Sequence, residues 1–560
     1  MAVRSWAKCS RPYEYAFSRT RWITAEDVEN LRTRHLAWWK RFWSMSEISL
    51  DDPVIEQRYY LSKYMLASLS RDPDYPPNIL GISTFDRPAW NGNYKINYNH
   101  QSPYLNLMVS GHFEQSDPHD APYLKLMEIS DEMCKRLLHH EGLYYPLGLG
   151  PDGVVSEALL LHMKSPALHG ALNMIYRYEI SQDTRYAWKV YPYLRGVAEF
   201  WEKDLVLRDG VYHVVGDGMH ERTDGNIREN GVPEDPVNTL GYLKTFFTRL
   251  PKISEALELD EEKRTKWQEI AENLAPYPKG TIREIQDNPT LWKEVDVKLE
   301  DLLPQEMLDK EIYYDEGVGG KWSFHFPGNI MHIYPGNAVG LGSDQKELEV
   351  ARNTVHIHSL VENKLGELEY KKALERAADE KKETVVKHAH FYKAGAFNAS
   401  NLSCLFFTAA VRTGYDPDII WNEMRDMIIH RGIPNGFLKE NPHGIEQLNT
   451  IPDAIQEMML QSYEDVIRIF PVWPRKKHPN ASFRNFRAWG GFEVSASLKD
   501  GEIEKVTVLS HKGNTCRVEN PWPEKSVIVK CGYSGREEVC FGEYLSIELQ
   551  KEEQVLLFVL

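Results

Sequence analysis

Asn97 and Asn99 stand two residues apart in the run Ala89-Trp90-Asn91-Gly92-Asn93-Tyr94-Lys95-Ile96-Asn97-Tyr98-Asn99-His100-Gln101, which packs amides, aromatics and one cation into a short turn-rich segment. Carboxamides both donate and accept hydrogen bonds, which suits a sugar hydroxyl or a positioned water. If Lys95 to Gln101 is extended, alternation sends both asparagine side chains out on one face, where they can grip one molecule together. The same residue types also cluster in long surface loops that merely satisfy their own backbone.

A chain of 560 residues with 42% hydrophobic content can bury a large core, enough for more than one domain or one large barrel. Helical periodicity dominates. Thr24 to Asp27 has the form of a helix N-cap, with Val28, Leu31, Leu36, Trp39, Phe42 and Trp43 following at roughly helical spacing. Further helical patterns run over 55–69, 121–139, 167–178, 185–205, 238–257, 261–275, 344–360, 366–378, 398–413, 417–430 and 451–463, with a charged, Pro-interrupted connection at 276–314. So many amphipathic helices with few strand signals before residue 465 predict helix hairpins closed around an axis, an all-α barrel. After Pro471-Val472-Trp473-Pro474 the character changes. Residues 492–498 alternate, Asp500-Gly501 is a hairpin turn, 506–509 is its partner strand, and 526–531, 544–549 and 555–560 add three more. The predicted division is a helical domain over 1–477 and a small antiparallel β domain over 478–560.

The formal charge of −16 disfavours nucleic acid or an anionic membrane surface as a partner. Fifteen Trp and 29 Tyr offer flat faces for sugar rings, although they also fill ordinary helical cores. Six cysteines, Cys9, Cys134, Cys404, Cys516, Cys531 and Cys540, form no CxxC pair and are expected to be free thiols. His119 with Asp117 and Asp120, and His139-His140-Glu141, lack a recognisable ligand spacing and are read as loop and helix-surface residues; no metal or other cofactor is expected. The start lacks the apolar core of a secretory signal and no apolar run approaches a membrane span, so the sequence as written reads as cytoplasmic, or secreted or periplasmic if a leader has been removed.

Three patches resemble glycoside hydrolase family 95, an α-L-fucosidase and α-L-galactosidase group. Pro76-Pro77-Asn78-Ile79-Leu80-Gly81-Ile82, Pro88-Ala89-Trp90 and Tyr94 to Gln101 are similar to its "PaNLQGiW…pW…Y…NiNlQmNYW". Ile333-Tyr334-Pro335-Gly336 is similar to "LYPG". Glu457 to Ser462, Ile469 to Pro474 and Arg487 to Phe492 resemble "EMLLQS…LLPALP…RARGGF". The patches keep the family's order. The resemblance implies an (α/α)6 barrel and inverting removal of a terminal sugar from an oligosaccharide or glycan. That chemistry pairs a protonated carboxylic acid at the leaving oxygen with a base for water on the opposite face. The family's acid lies in a "PSxSPEN" segment after a long helix, whose counterpart here is Gly216 to Glu221; this makes Glu221 the general acid, with Asp217, Asp224 and Glu229 as nearby competitors. Asn97 and Asn99 match the family's water-holding asparagines. Counting eleven back from Glu457, as the family's "DGNFG" aspartate lies from its glutamate, gives Glu446 as base or water-polarising group, although a helix-start carboxylate can also simply interact with backbone donors.

Departures from the pattern bear on the substrate. Lys95 stands two before Asn97, where relatives carry residues such as His or Thr; it adds a charged donor at the sugar's rim and suggests an acidic, sulfated or differently hydroxylated ring, unless it snorkels to solvent. Asn78, Trp90 and Gln101 are further candidate substrate contacts. The family's "HRHxSHL" reads Phe324 to His332, leaving His325 and His332 as candidate sugar ligands, with Asp315 and Glu316 as reserve bases. The β-sandwich that normally precedes the barrel has no counterpart, which reads as a trimmed or reduced member. Two other functions fit the residues: a non-catalytic carbohydrate-binding relative, and a uronate lyase using Lys95 with Tyr94, Tyr98 or His100. Only the lyase would make an unsaturated, ultraviolet-absorbing product.

Overall fold

The computed structural model describes residues 9–79, 81, 89–154, 162–218, 232, 234–287, 299–314, 328–360, 403–438, 444–532 and 535–559. The chain divides into two compact units, Met1–Glu47 and Ile48–Leu560. The first carries helices Pro12–Thr20 and Ala25–Ser44. The second of these opens on the capping box expected at Thr24: its Oγ1 accepts from Asp27 N at 3.2 Å and its N–H donates to Asp27 Oδ2 at 2.9 Å.

Among its described residues the larger unit is mainly helical up to residue 460, with short strand pairs such as Val206–Arg208 with Val211–His213, and mostly strand beyond 480. Three of its helices begin on a carboxylate cap: Asp52, Asp183 and Asp416 each accept backbone N–H bonds at the starts of Pro53–Leu69, Thr184–Asp204 and Pro417–Asp426. Two kinds of helix result. Pro166–Ser181 and Val237–Leu257 are buried on nearly every side, and all residues of Thr450–Met459 are buried. Glu261–Glu272, in contrast, buries only Trp267, Ile270 and Ala271. All-round burial marks an inner layer and one-sided burial an outer one. Val237–Leu257 packs on Pro166–Ser181, Thr184–Asp204 and Glu261–Glu272, while Thr450–Met459 packs on Ser403–Arg412, Pro53–Leu69 and Ser102–Val109.

One close approach inside this layer makes a prediction. A Cβ on Gly241 would lie 2.3 Å from His332 Cβ and 2.7 Å from its Cα, so relief would require moving backbone. Gly→Ala ordinarily favours a helix, but here overpacking wins: Gly241→Ala is expected to cost about 2 kcal/mol net, read as a lowered denaturation midpoint.

Boundaries differ from the sequence reading in several places; the helix expected over 451–463 ends at Met459 and gives way to strand Leu460–Gln461. The single helix expected over 121–139 is two, Phe113–Lys125 and Met127–Leu138, parted at Leu126, and the first starts eight residues earlier and runs through Pro118 and Pro122. The segment 417–430 leaves α-helix at Asp426 for a π-turn, Met427–Arg431. The helix expected at 366–378 lies outside the described residues.

In the β region, Phe492–Lys499 pairs antiparallel with Glu502–Ser510 through Lys499↔Glu502. Asp500 and Gly501 both take positive φ, 51° and 83°, as a two-residue hairpin turn demands. Glu553–Phe558, Val527–Cys531 and Glu537–Cys540 continue the sheet on one side and Ala481–Ala488 on the other; Thr515–Glu519 pairs separately with Tyr544–Glu548. Ala481–Ala488, Thr515–Glu519 and Glu537–Cys540 were not foreseen. The six cysteines are free thiols, with Cys134, Cys404, Cys516 and Cys531 buried.

Candidate active site

The Asn97 to Asn99 segment is not extended, which corrects the alternation argument. Only Tyr94–Lys95 is strand, paired with Gly148–Leu149; residues 96–101 then wind as a turn into helix Ser102–Val109. His100 N donates to Lys95 O at 2.9 Å and Ser102 N to Tyr98 O at 2.9 Å. Backbone groups left over by such a turn need partners when buried, and inner side chains supply them. Gln101 Nε2 donates to Ile96 O, Asn173 Nδ2 donates to Gln101 O at 2.9 Å, and His169 Nδ1 lies 2.8 Å from Asn97 O. Gln101 therefore closes the turn. Asn97 and Asn99 are 2% and 6% exposed.

Asn99 and Lys95 line a narrow crevice with Pro77, Tyr94, Pro103 and Ile445. Ile445 N donates to Ile79 O at 3.2 Å, which ties the 3-10 turn Ile445–Leu448 to the Asn78 segment. Glu446, the next residue, is fully buried. Burial pushes the Cys404 thiol up, and the negative charges of Glu446 and Asp453 add to the rise, so both carboxylates act on one buried point. The structure thus brings together Lys95, Asn97, Asn99 and the turn that carries Glu446.

Asp453 and Glu457 were not singled out from sequence as site groups. Asp453 accepts from Thr408 Oγ1 at 2.9 Å, and burial, reinforced by the charge of Glu457, raises its carboxyl to about 7. Glu457 is held by Arg412 in a two-pronged pair, Nε to Oε2 at 3.1 Å and Nη2 to Oε1 at 2.8 Å. Buried Lys63 donates to Asn106 Oδ1 at 2.9 Å and Ser110 Oγ at 2.7 Å; burial lowers it to about 7 against the pull of Asp453. A lysine in an amphipathic helix ordinarily reads as solvated, so this group left no signal in the sequence.

A second cluster meets the first through Val237–Leu257. The His169 ring lies 5.0 Å from that of Tyr242, and Thr239, three residues earlier, donates from Oγ1 to Asp217 Oδ2 at 2.6 Å. Asp217, one of the competitors for the acid role, also accepts from Lys164 N. It is fully buried, and desolvation raises its carboxyl to about 6. A raised carboxyl stabilises the fold while protonated and loses that contribution as pH climbs from 3.8 to about 6. Asp217→Asn should therefore flatten the fall in stability over that range by about 3 kcal/mol, read from urea denaturation at stepped pH. Glu221, Asp224 and Glu229 lie outside the described residues, as do Asp315, Glu316 and His325.

His332 is wholly buried against the rings of Tyr313 and Tyr277, with centroids 4.3 Å and 5.1 Å away, and burial lowers its pKa to about 3, keeping it neutral. Asn78 forms a tight bridge with Gly81, whose N–H donates to Asn78 O at 2.9 Å. Trp90 is 58% exposed and, with Asn91, takes positive φ. His119 is a correction: it is buried in helix Phe113–Lys125 with Nδ1 3.0 Å from Asp120 Oδ1, not a loop or surface residue. Among the described residues, those that do approach metal-ligand spacing are His213, Glu234 and Asp235. They are already engaged: Asp235 takes Val214 N and His213, and Glu234 takes Arg208.

The sequence matches the Glycosyl hydrolase family 95 catalytic domain over residues 8–298 and the Glycoside hydrolase family 95, C-terminal domain over 461–556. No curated protein matches it. Among solved structures it is similar to one provisionally described as a kojibiose phosphorylase from the human microbiome, with 13% identity and a TM-score of 0.51 over 96% of this chain and 65% of that one. It also matches α-L-rhamnosidases from Streptomyces avermitilis (11% identity, 91% of this chain, 42% of that one, TM-score 0.40) and Dictyoglumus thermophilum (12%, 92%, 50%, 0.42). The chain thus spans less than two thirds of the length of these solved structures. The first likeness bears on fold alone; the domain matches cover residues 8–298, which hold the Asn97 turn, and most of the β region that ends the chain. The chain belongs to glycoside hydrolase family 95.

Proposed function

We propose that this protein is an exo-acting glycoside hydrolase that removes a terminal sugar with inversion. The sugar is of the α-L-fucose or α-L-galactose type, or an acidic or modified relative that Lys95 would favour. Residues 1–477 are read as the catalytic part, an (α/α)6 barrel whose inner helices are those buried on all sides, and 478–560 as the β domain. In this reading Glu221 protonates the leaving oxygen, Asn97 and Asn99 hold the attacking water, and Glu446 receives its proton, with the two carboxyls roughly 6.5–9.5 Å apart. Trp90, Asn78 and the histidines at 325 and 332 line or support the ring. No step calls for a metal.

The observation that carries the reading is the meeting of the asparagine turn with the Glu446 turn at one crevice, lined by Lys95, Asn99 and Ile445. The test is proton NMR of the products formed from a panel of terminal α-L-fucosides, α-L-galactosides and acidic or sulfated oligosaccharides. First appearance of the inverted anomer of a free sugar is the expected result. Sugar binding without turnover across the panel points to a binding protein, and an ultraviolet-absorbing unsaturated product points to a lyase; either sinks the hydrolase assignment.

A further inference from the structure

Asn449 follows Glu446 by three residues at the end of the Ile445–Leu448 turn, and its N–H donates to Glu446 O at 3.1 Å. In a 3-10 turn, side chains three apart eclipse, so Asn449 and Glu446 share a face. Asn449 Oδ1 accepts twice from Asn106, from Nδ2 at 2.6 Å and from the backbone N–H at 3.3 Å. Asn106 belongs to Ser102–Val109, the helix that grows directly out of the Asn97 to Asn99 turn. This side-chain bond therefore ties the element carrying the asparagines to the element carrying Glu446.

Lys63 decides which way the amides point. Its Nζ donates to Asn106 Oδ1 at 2.9 Å, and a backbone carbonyl, which can only accept, takes Asn106 Nδ2 at Pro103 O at 3.1 Å, so the NH2 of Asn106 faces Asn449. Asn449 then turns its own oxygen toward Asn106 and its NH2 away. Lys63, Asn106 and Asn449 are 2%, 0% and 0% exposed, so water does not compete for these bonds. Among the described residues nothing accepts from Asn449 Nδ2, a buried donor. Buried donors in folded proteins are nearly always used, which makes this open N–H, in the turn that carries Glu446, a group with a partner still to come.

We propose that Asn449 is a positioning residue for the hydrolytic step, oriented by the Lys63 and Asn106 relay: it fixes the spacing between the asparagine turn and Glu446 and presents an N–H on the face of Glu446 to the bound water or ring. This rests on Glu446 being the base. The informative variant is Asn449→Asp, which keeps the oxygen that Asn106 needs, removes the N–H and places a second negative charge beside Glu446. On the first panel substrate to turn over, kcat is expected to fall about tenfold or more with KM within about threefold. The acid limb of the pH–rate profile is expected to move up by about one pH unit, because like charge favours the protonated carboxyl. The limb reads how close position 449 lies to Glu446, and the fall in kcat at nearly constant KM reads the lost N–H; a profile superimposable on wild type, or a kcat within about threefold of wild type, overturns the proposal. Glu446→Gln separates the two ideas: if it retains turnover, the base assignment is wrong, whereas if it is inactive and Asn449→Asp is not, only the positioning role falls. Hydrogen exchange gives a reading without substrate. Asn106→Leu should speed exchange of the amides of 445–449 relative to wild type, and unchanged protection there overturns the relay.

Discussion

Glu446→Gln is expected to lower turnover about a thousandfold while leaving the thermal midpoint nearly unchanged, because a positioned general base is worth roughly two to four orders of magnitude and glutamine fills the same space. The residue is fully buried at the start of a turn whose neighbour Ile445 shares a crevice with Asn99 and Lys95. A carboxamide there can still hold a water but cannot take its proton. Asn97→Ala and Asn99→Ala should give smaller losses, since each removes one of two grips on the same water. The assay is release of free sugar from the panel substrate, with kcat measured from about pH 4 to pH 8. Retention of more than a tenth of wild-type turnover by Glu446→Gln would reject Glu446 as the base and move attention to Asp315 or Glu316.

What the sequence yielded depended on the range of the interaction. The Thr24 capping box, the Asp500-Gly501 hairpin and the mainly helical character before residue 460 rest on contacts a few residues apart, and each is present among the described residues. Glu446 came from a count of eleven residues back from Glu457; in the structure the first lies in the turn Ile445–Leu448 and the second in the inner helix Thr450–Met459 that follows it. Geometry fixed by distant residues was not legible. The turn at 96–101 is closed by Asn173 and His169, some seventy residues on. Asn449 differs in no local way from any asparagine at a helix start; only its bond to Asn106, across more than three hundred residues, gives it meaning. Lys63 likewise sits at a spacing that solvent-facing lysines share.

Glu457 opens the stretch that most resembles the family's sequence, yet its geometry describes an anchor. Its carboxylate is gripped on both oxygens by Arg412, whose guanidinium lies over the rings of Tyr463 and Tyr334 at 4.0 Å and 4.5 Å. Arg412 and Glu457 are 4% and 8% exposed. Such a pair offsets two desolvated charges, so removing one partner strands the other. Arg412→Met or Glu457→Met alone is expected to cost about 3–5 kcal/mol, and the double variant less than either single one, because no buried charge is then left unmatched. Glu457→Gln adds a pH signature. The charge of Glu457 helps raise Asp453, one helical turn before it, to about 7. A raised carboxyl contributes stability below pH 3.8 that is lost as pH rises through its folded value, so removing Glu457's charge lowers that value and narrows the range of loss. Urea denaturation of the four proteins of the cycle and of Glu457→Gln at about pH 7, repeated at about pH 5, measures both effects. Single variants within about 1 kcal/mol of wild type would show that the pair does not pin the inner helix. Losses of the expected size with a recovered double variant would show that Arg412 and Glu457 hold Thr450–Met459 in place, and with it the turn from which Glu446 and Asn449 project.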